Sequence, residues 1–506
     1  MRLVTPLEMM KLEDLANQSG ITYEMMMNRA GAGLAAHLAH IAAESNQQRI
    51  LFLCGTGNNA GDCFVAAAHL ANQFEVTVCL TSGVPKTRTA YAKYKAMKGV
   101  TELNDHAEIL EAIKSHSLIV DGIFGIGFRG DLSPQIQELF AAADTPDKQI
   151  IAVDIPSGGS ALIGTVSPGT PHCHITVTFG AAKTGLFITP LSEHCGAILL
   201  VDIGLPDSAF DELTYPITHI DGETVRSVLP ARPQNGYKGM FGKLLCVTGS
   251  RTMPGAALLS TQAALRCGVG LCTLASDPEV CRMLMMHSPE ATIQPLATDA
   301  NGMLTQNAIP DILRAAKNAS CVLIGCGLGQ SEEGRSTVRA LIPQIECPII
   351  LDADGLNAVA SGIDILRRAK SKVVLTPHPG EMAHLLHCTV ADVQKDRITA
   401  AKRLAARLPN TVVVLKGAGT IVAVSDHASI NTNGNSGMSK GGSGDILAGM
   451  IAGLAAQQIE PEHAAQIGVY LHGLAGDCAA AEFSKRAMLP SDMLHQLPVL
   501  FGEFEE

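Results

Sequence analysis

The sequence predicts an α/β protein of two domains, the first built on a doubly wound parallel sheet. Short apolar runs alternate with helix-period segments through the first half of the chain, and the alternation restarts in the second half. Between the halves, from about Pro206 to Pro233, this rhythm fades into a stretch that gathers Asp, Pro, Thr and Arg. In both halves the polar and glycine-rich segments come straight after the strands. A parallel sheet sets such segments on one edge, where ligands bind. At 506 residues the chain is long enough for more than one core. The boundary is expected near residue 220, giving domains of residues 1–219 and 220–506.

Hydrophobic residues make up 47% of the chain and charged residues 17%, which describes a well-buried globular protein. A formal net charge of -11 argues against nucleic acid or an anionic membrane as a partner. Phosphate ligands would then be held by local lysines and backbone amides. The fourteen cysteines are scattered without a CxxC pair, which disfavours zinc and a disulfide framework. Reduced thiols acting as small core residues are expected, as in the cytoplasm. Met1 to Gly20 has no apolar leader, and no apolar run reaches the length of a membrane helix, so a cytoplasmic protein is expected.

The first domain opens with Thr5-Pro6-Leu7-Glu8, a helix start with a hydroxyl cap, a proline at the first position and a glutamate placed to close a capping box. A second helix is expected from about Thr22 to Ser45, with Met25, Met26 and Met27 as core or a covering lid. Arg49 to Cys54 reads as a buried strand, Gly55 to Asp62 as a turn, Cys63 to Gln73 as a helix and Glu75 to Leu80 as the next strand. The turn fits GxGxxA, but no acid ends the second strand to hold a ribose, which disfavours NAD in its usual pose. Two further strands end in acids: Ser117 to Val120 runs into Asp121, and Gln149 to Val153 into Asp154. Asn58, Asn59, Asp121, Asp154 and Ser157 should therefore converge. Each acid could equally cap a helix or end a turn, but their oxygens together suit a hard cation.

In the second domain, strands are expected at Lys243 to Thr248, Gly270 to Ala275, Cys321 to Ile324, Pro348 to Leu351, Val373 to Leu375 and Thr411 to Leu415. Ile421 to Val424 reads as a hairpin partner of the last, and Ala256 to Arg266 as a helix. The most informative stretch is Gly434 to Asp445. It is nearly half glycine and runs into the apolar helix pattern Ile446-Leu447-Ala448-Gly449-Met450-Ile451. Glycines let backbone N–H groups converge, and a helix start adds a positive dipole end, which together make an anion cradle. A carboxylate at the mouth of that cradle needs a task, and accepting a proton beside a phosphoryl group is one. Lys440 lacks the GxxxxGK[ST] setting, which excludes ordinary P-loop chemistry. His378, Asp352, Asp354 and Lys416 at strand ends could each be a turn or surface residue. The helix from His463 to Phe483, with His472 and Asp477 on it, is read as packing.

In the first half, NNAGDC, DGIFGIGFRG and VDIPSG resemble, in order and spacing, the epimerase domain of NAD(P)H-hydrate repair enzymes. In the second, HPGE, KGAGT and NSGMSKGGSGD resemble the dehydratase domain of the same enzymes, whose GSGD tail is that of the ribokinase-like superfamily. The resemblance implies a Rossmann-like first domain, a ribokinase-like second domain and two activities. The first interconverts the R and S epimers of hydrated NADH and NADPH (NADHX and NADPHX). The second dehydrates the S epimer with ADP, forming AMP and phosphate.

Carried over position by position, the resemblance implies that Asn58, Asn59, Ala60, Gly61 and Asp62, with Gly125, Ile126, Gly127, Phe128, Arg129, Gly130 and Asp131, contact the hydrate in the first domain. Asn59, Asp121 and Ser157 would ligate potassium, and Asp154 would contact the hydrate near its hydroxylated carbon. Exchanging a hydroxyl on an aminal-like carbon needs proton transfer, which makes Asp154 the expected acid–base group. Val177 to Lys183 also fits, with no role derivable for Lys183. In the second domain Ala256, Gly327, His378 and Asp445 would bind the hydrate. Lys416, Gly417, Ala418, Gly419 and Thr420 would bind the nucleotide, together with Asn435, Ser436, Gly437, Met438, Ser439, Lys440, Gly441, Gly442, Ser443 and Gly444. Asp445 would take the hydroxyl proton, and magnesium would neutralise charge with Glu381 as an outer partner. A homo-oligomer is expected. The competing readings are a ribokinase-like kinase for a vitamin precursor with an accessory N-terminal domain, and a non-enzymatic nucleotide sensor.

Overall fold

The computed structural model describes residues 1–505 and forms two compact units, Met1–Ile217 and Thr218–Glu506. The seven-stranded sheet of the first unit runs, edge to edge, Thr101–Leu103, Glu75–Leu80, Arg49–Cys54, Leu118–Gly122, Gln149–Val153, Ile175–Phe179 and Ala197–Val201. Every pairing in it is parallel. The chain builds outward from Arg49–Cys54 on one side, then returns to lay Leu118–Gly122 on the other. That reversal opens a crevice at the carboxyl ends of these two strands. Side chains of the central strand alternate between two cores. Ile50, Phe52 and Cys54 join Leu34, Leu38 and Phe64 of the helices Tyr23–Glu44 and Asn58–Leu70. Leu51 and Leu53 join Ile109, Ile113 and Leu139 of His106–Ser115 and Pro134–Ala143. Burial on both faces explains the unbroken apolar run.

The expected capping box is present: Thr5 and Glu8 bond each other's backbone N–H at the start of Pro6–Gln18. Met26 and Met27 are core while Met25 is exposed. The expected turn of residues 55–62 is shorter than predicted, because the helix begins at Asn58 with Gly57 as its cap. Asn58 to Asp62 are thus first-turn helix residues, and Gly55 passes so close to Ile123 that a Cβ would lie 2.1 Å from its carbonyl oxygen. Asp121 sits within its strand, Leu118–Gly122, and not beyond its end.

The sheet of the second unit runs Thr292–Pro295, Leu271–Ser276, Lys243–Val247, Cys321–Ile324, Ile349–Leu351, Val373–Leu375, Thr411–Leu415, Thr420–Ala423 and Ala428–Asn431. The first seven strands pair in parallel and the last two continue antiparallel. Thr420–Ala423 is the expected hairpin partner. Thr292–Pro295 and Ala428–Asn431 are short, and their sequences alternate too little to be read as strands. Helix Ser443–Ala456 is almost wholly buried and lies against Pro254–Arg266. A Cβ at Gly449 would be 2.2 Å from Ser260 O, and one at Gly453 2.8 Å from Ala264 Cα. These two glycines, one turn apart, let the helix backbones touch, which fixes where the helix N-terminus points. The expected 463–483 helix runs Pro461–Ala487, interrupted at Ser484 by φ 67. No helix among the described residues is long and apolar enough to cross a membrane.

Candidate functional site

The crevice of the first unit gathers several of the expected residues. Asn59, in the first turn of Asn58–Leu70, donates through Nδ2 to Phe124 O and Val153 O, both at 3.1 Å. This joins the loop after Leu118–Gly122 to the end of Gln149–Val153. Asp121, fully buried, accepts from Ser157 N at 2.7 Å, Ser157 Oγ at 2.6 Å and Ile123 N at 3.3 Å. Burial nonetheless raises its pKa to about 6 against those bonds. Phe124 N donates to Ser157 Oγ at 2.9 Å. Asn59, Asp121 and Ser157 therefore form one connected oxygen-rich cluster. In the 125–131 loop, Gly125 packs on Asn59, Phe128 tilts against Phe124 with ring centroids 4.9 Å apart, and Arg129 turns back onto the Ile126 and Phe128 carbonyls. Gly127, Gly130, Asp131 and Asn58 are exposed, whereas Ala60 and Gly61 are buried in the helix.

Asp154 follows its strand at φ 67, a left-handed backbone that a non-glycine residue adopts only under constraint. The constraint is visible. Lys183 Nζ lies 2.5 Å from Asp154 Oδ1, Thr178 Oγ1 donates to the same oxygen at 3.0 Å, and Lys183 also donates to Thr178 Oγ1 and Phe179 O. Lys183 is 1% exposed. Sequence reasoning left this lysine without a role. The signal available was its place after a strand, Ile175–Phe179, that borders the Asp154 strand.

The second unit holds a cleft of about 600 Å³ lined by Met253, Ala256, Gly327, Asp354, His378, Glu381, Gly441, Gly442 and Asp445, among others. Four expected hydrate contacts, Ala256, Gly327, His378 and Asp445, share this cleft with two glycines of the expected nucleotide loop. Gly442 caps Ser443–Ala456 at φ 108, a geometry suited to glycine, and Asp445 stands in the first turn of that helix. Burial raises the Asp445 pKa to about 6, helped by the Asp352 carboxylate and opposed by the Cys326 thiol and Lys416. A carboxylate of that pKa is ionised at neutral pH yet basic enough to take a proton.

Lys416 sits beneath Gly444, whose Cβ would be 3.3 Å from Nζ. Its Nζ is 2.6 Å from Asp352 Oδ1 and 3.9 Å from Glu381 Oε2. Burial works against its charge, but Asp352 and Glu381 more than offset this, and its pKa is raised. Thr376 Oγ1 also donates to Asp352 Oδ1, at 2.7 Å. His378 caps Pro379–Leu386: its Nδ1 accepts from Gly380 N at 3.0 Å and Glu381 N at 3.3 Å, while Glu381 accepts from His378 N at 2.8 Å. Its Nε2 lies 3.5 Å from Glu381 Oε1, and the ring lines the cleft.

The glycine loop is held from behind by residues read as packing. Asp477 accepts from Gly434 N and Asn435 Nδ2, both at 2.9 Å. His472 Nε2 lies 2.9 Å from Ser443 O, and burial lowers its pKa to about 4, so the ring is neutral and donates there. The 417–420 loop is held by Arg397, whose guanidinium donates to Leu415 O, Lys416 O and Gly419 O. Lys440 does not reach into the cleft; its ammonium caps the Arg486 and Met488 carbonyls. Met438 packs toward Gly434 and Gly476, Gly437 is buried, and Ser436, Ser439, Gly417 and Ala418 are exposed. His472, Asp477 and Arg397 escaped sequence reasoning because each lies on a helix far from the loop it holds.

Residues 244–499 match the family model described as NAD(P)H-hydrate dehydratase, and residues 23–185 match the model described as YjeF-related protein N-terminus. The chain is 36% identical over 518 residues to the bifunctional NAD(P)H-hydrate repair enzyme Nnr of Moorella thermoacetica, covering 100% of this chain and 98% of the relative. The protein of that name from Escherichia coli is 34% identical, with 96% and 90% covered. Among solved structures, a ribokinase-like superfamily protein from Enterococcus faecalis is 27% identical and superposes with a TM-score of 0.50, covering 57% of this chain and 97% of its own. Similarity that spans both units at these identities shows that the chain belongs to the family of bifunctional NAD(P)H-hydrate repair enzymes.

Proposed function

We propose that the first unit interconverts the R and S epimers of NADHX and NADPHX, and that the second dehydrates the S epimer with ADP, giving AMP and phosphate. The observation that carries the second activity is Asp445: a base with a pKa of about 6 at the mouth of a glycine-lined helix start, inside the cleft of about 600 Å³. Hydroxide is a poor leaving group from the hydrated ring. Asp445 takes the hydroxyl proton as the hydroxyl oxygen attacks the terminal phosphoryl of ADP, releasing AMP. Gly441 to Gly444 present backbone N–H groups to the transferring phosphoryl. The ring C–O bond then breaks with phosphate as leaving group, driven by the ring nitrogen, and the neighbouring carbon gives up a proton to restore the dihydropyridine.

Asp354, Glu381 and Asp445 line the cleft and no lysine or arginine does, so a polyphosphate entering it requires a cation. This donor set suits magnesium, which Glu381 and Asp354 would hold and which would neutralise phosphate charge. In the first unit the oxygens of Asn59, Asp121 and Ser157 suit potassium, which would supply a fixed positive charge beside the buried Asp121 carboxylate. Asp154 serves there as the acid–base group, held in place by Lys183. All fourteen cysteines are free, and only Cys478 is exposed outright, which fits a reducing cytoplasmic compartment.

The test is to supply purified protein with an epimer mixture of NADHX and ADP, then follow the near-ultraviolet absorbance of NADH together with phosphate release. Full recovery of NADH from both epimers, with one phosphate per NADH, is expected. Phosphate kept on the organic product would favour the kinase reading, which the ribokinase-like neighbour also fits.

A further inference from the structure

A thiol stands beside the acid proposed to react in the second unit. Cys326 follows strand Cys321–Ile324 and lies between Gly325 at φ 131 and Gly327 at φ 64. A Cβ at Gly325 would meet Asp352 O at 1.9 Å, so the backbone here runs directly against the end of the neighbouring strand, Ile349–Leu351. On the other side, just past strand Lys243–Val247, Gly249 N donates to Cys326 O at 2.7 Å. The residue is fully buried. Its thiol is therefore held in place by the two strands that flank its own.

Cys326 Sγ lies 3.6 Å from Asp352 Oδ2 and is also hydrogen-bonded to the Asp445 carboxylate. The other Asp352 oxygen, Oδ1, is already taken by Lys416 Nζ at 2.6 Å and Thr376 Oγ1 at 2.7 Å, which leaves Oδ2 to the thiol. Asp445 comes from the first turn of Ser443–Ala456 and lines the cleft. One ligand atom from each of Cys326, Asp352 and Asp445 lies within 4.8 Å of the other two. Zinc bonds to thiolate at about 2.3 Å and to carboxylate at about 2.0 Å, which at a tetrahedral angle sets sulfur and oxygen about 3.5 Å apart. The Cys326–Asp352 pair already stands at that spacing. Sulfur disfavours magnesium, whose proposed holders, Glu381 and Asp354, lie outside this trio. The charge of a divalent ion together with that of Lys416 balances three anionic ligands, so the filled site carries no net charge.

We propose that Cys326, Asp352 and Asp445 form an inhibitory site for a thiophilic divalent cation of the zinc class. The ion enters through the cleft that Asp445 lines. It replaces the proton on Cys326, which leaves to solvent, and the thiolate and two carboxylates each give it an electron pair. Three protein ligands leave the fourth position to water. The Asp445 oxygen that would accept the hydroxyl proton is then bound to the metal, so dehydration stops until the ion is withdrawn. The binding stands on the geometry alone; the inhibition rests on the dehydratase reading of this unit.

The experiment titrates the full-length chain with zinc and with cadmium, at free concentrations fixed by a metal buffer and with magnesium in excess. Cadmium reports binding through its thiolate charge-transfer absorption in the ultraviolet, and zinc reports inhibition of ADP-dependent NADH recovery. The unsubstituted chain should take up one more equivalent of cadmium, with its absorption band, than Cys326→Ser. Zinc should abolish dehydration at saturation, and a chelator should restore it. In Cys326→Ser, measured against that variant's own metal-free rate, the zinc concentration for half-inhibition should rise at least about 100-fold, the upper end of what loss of a mere outer-shell partner costs. Asp445→Asn keeps the thiol and loses one carboxylate, so its cadmium band should persist but need more metal to appear. Equal cadmium uptake by the unsubstituted chain and Cys326→Ser, or equal zinc sensitivity of the two, overturns the proposal. The cysteine-dependent band without dehydration in any metal-free sample upholds the metal site and overturns the dehydratase reading instead.

Discussion

Both units set an aspartate and a lysine at the carboxyl edge of a parallel sheet, and they join them differently. In the first, Lys183 goes directly to the acid proposed to react, 2.5 Å from Asp154 Oδ1, with Thr178 on the same oxygen. In the second, Lys416 goes to a neighbour, Asp352, at 2.6 Å, and Asp445 is left with a second carboxylate close by. The first arrangement fixes the position of one carboxylate; the second leaves its acid free to titrate near pH 6. An acid that must stay put while a hydroxyl is exchanged benefits from a dedicated partner. An acid that must take up a proton as charge develops on a phosphoryl group benefits from a raised affinity for that proton.

The largest expected effect comes from Asp445→Asn. Loss of the base should lower kcat for dehydration by about 10²- to 10⁴-fold, while epimerisation in the same preparation continues at its normal rate. Near-normal recovery of NADH by this variant would mean that the proton goes elsewhere.

Lys183→Met strikes the other half of the comparison. It leaves the Asp154 carboxylate in a buried site without its cation, which costs about 3–5 kcal/mol when a buried pair loses one partner. Denaturant unfolding should show this loss in the first unit's transition, and epimerisation should fall with it, while dehydration persists. Equal stability with and without the lysine would show that Asp154 is solvated or protonated in the folded chain, and that the ion pair is not what holds its φ at 67°.

The contrast between the two aspartates was only half legible in the sequence. The strands that carry both sites were, because buried parallel strands are uninterrupted apolar runs, and Arg49–Cys54, Glu75–Leu80 and Thr411–Leu415 begin and end as the pattern predicts. Asp154 and Asp445 were legible too, since each stands where a strand or a glycine loop delivers polar groups to the ligand edge. Their partners were not. Lys183 reaches Asp154 across 29 residues, Lys416 reaches Asp352 across 64, and Asp477 holds Asn435 across 42. Such pairs depend on how strands are ordered in the sheet and on how a helix two elements away packs, neither of which local periodicity reports. The start of Asn58–Leu70 was misplaced for a related reason. Two asparagines and a glycine look like a turn, yet the helix begins at Asn58, directly after Gly57.

Asp477 offers a smaller effect that separates holding from chemistry. Its carboxylate takes two N–H donors of the glycine loop, so Asp477→Ala removes two charge-assisted bonds, worth about 1.5–3 kcal/mol each at most. The expected result is a weaker KM for ADP, with kcat for dehydration little changed. Loss confined to kcat would indicate that the loop is preorganised without this anchor.

The smallest expected effect is a shift in pH dependence. With Asp445 near 6, dehydration should fall as pH drops below that value, because the base is then protonated before substrate arrives. The Cys326 thiol, buried 3.6 Å from Asp352 Oδ2 and bonded to Asp445, lowers that pKa. Cys326→Ala should therefore move the acid limb of kcat/KM upward in pH, and Cys326→Ser, with a stronger donor, should move it down. The epimerisation profile should stay where it is in both variants, since Cys326 belongs to the second unit. If the two substitutions moved the limb in the same direction, the thiol would be acting through packing and not by donating a hydrogen bond to Asp445.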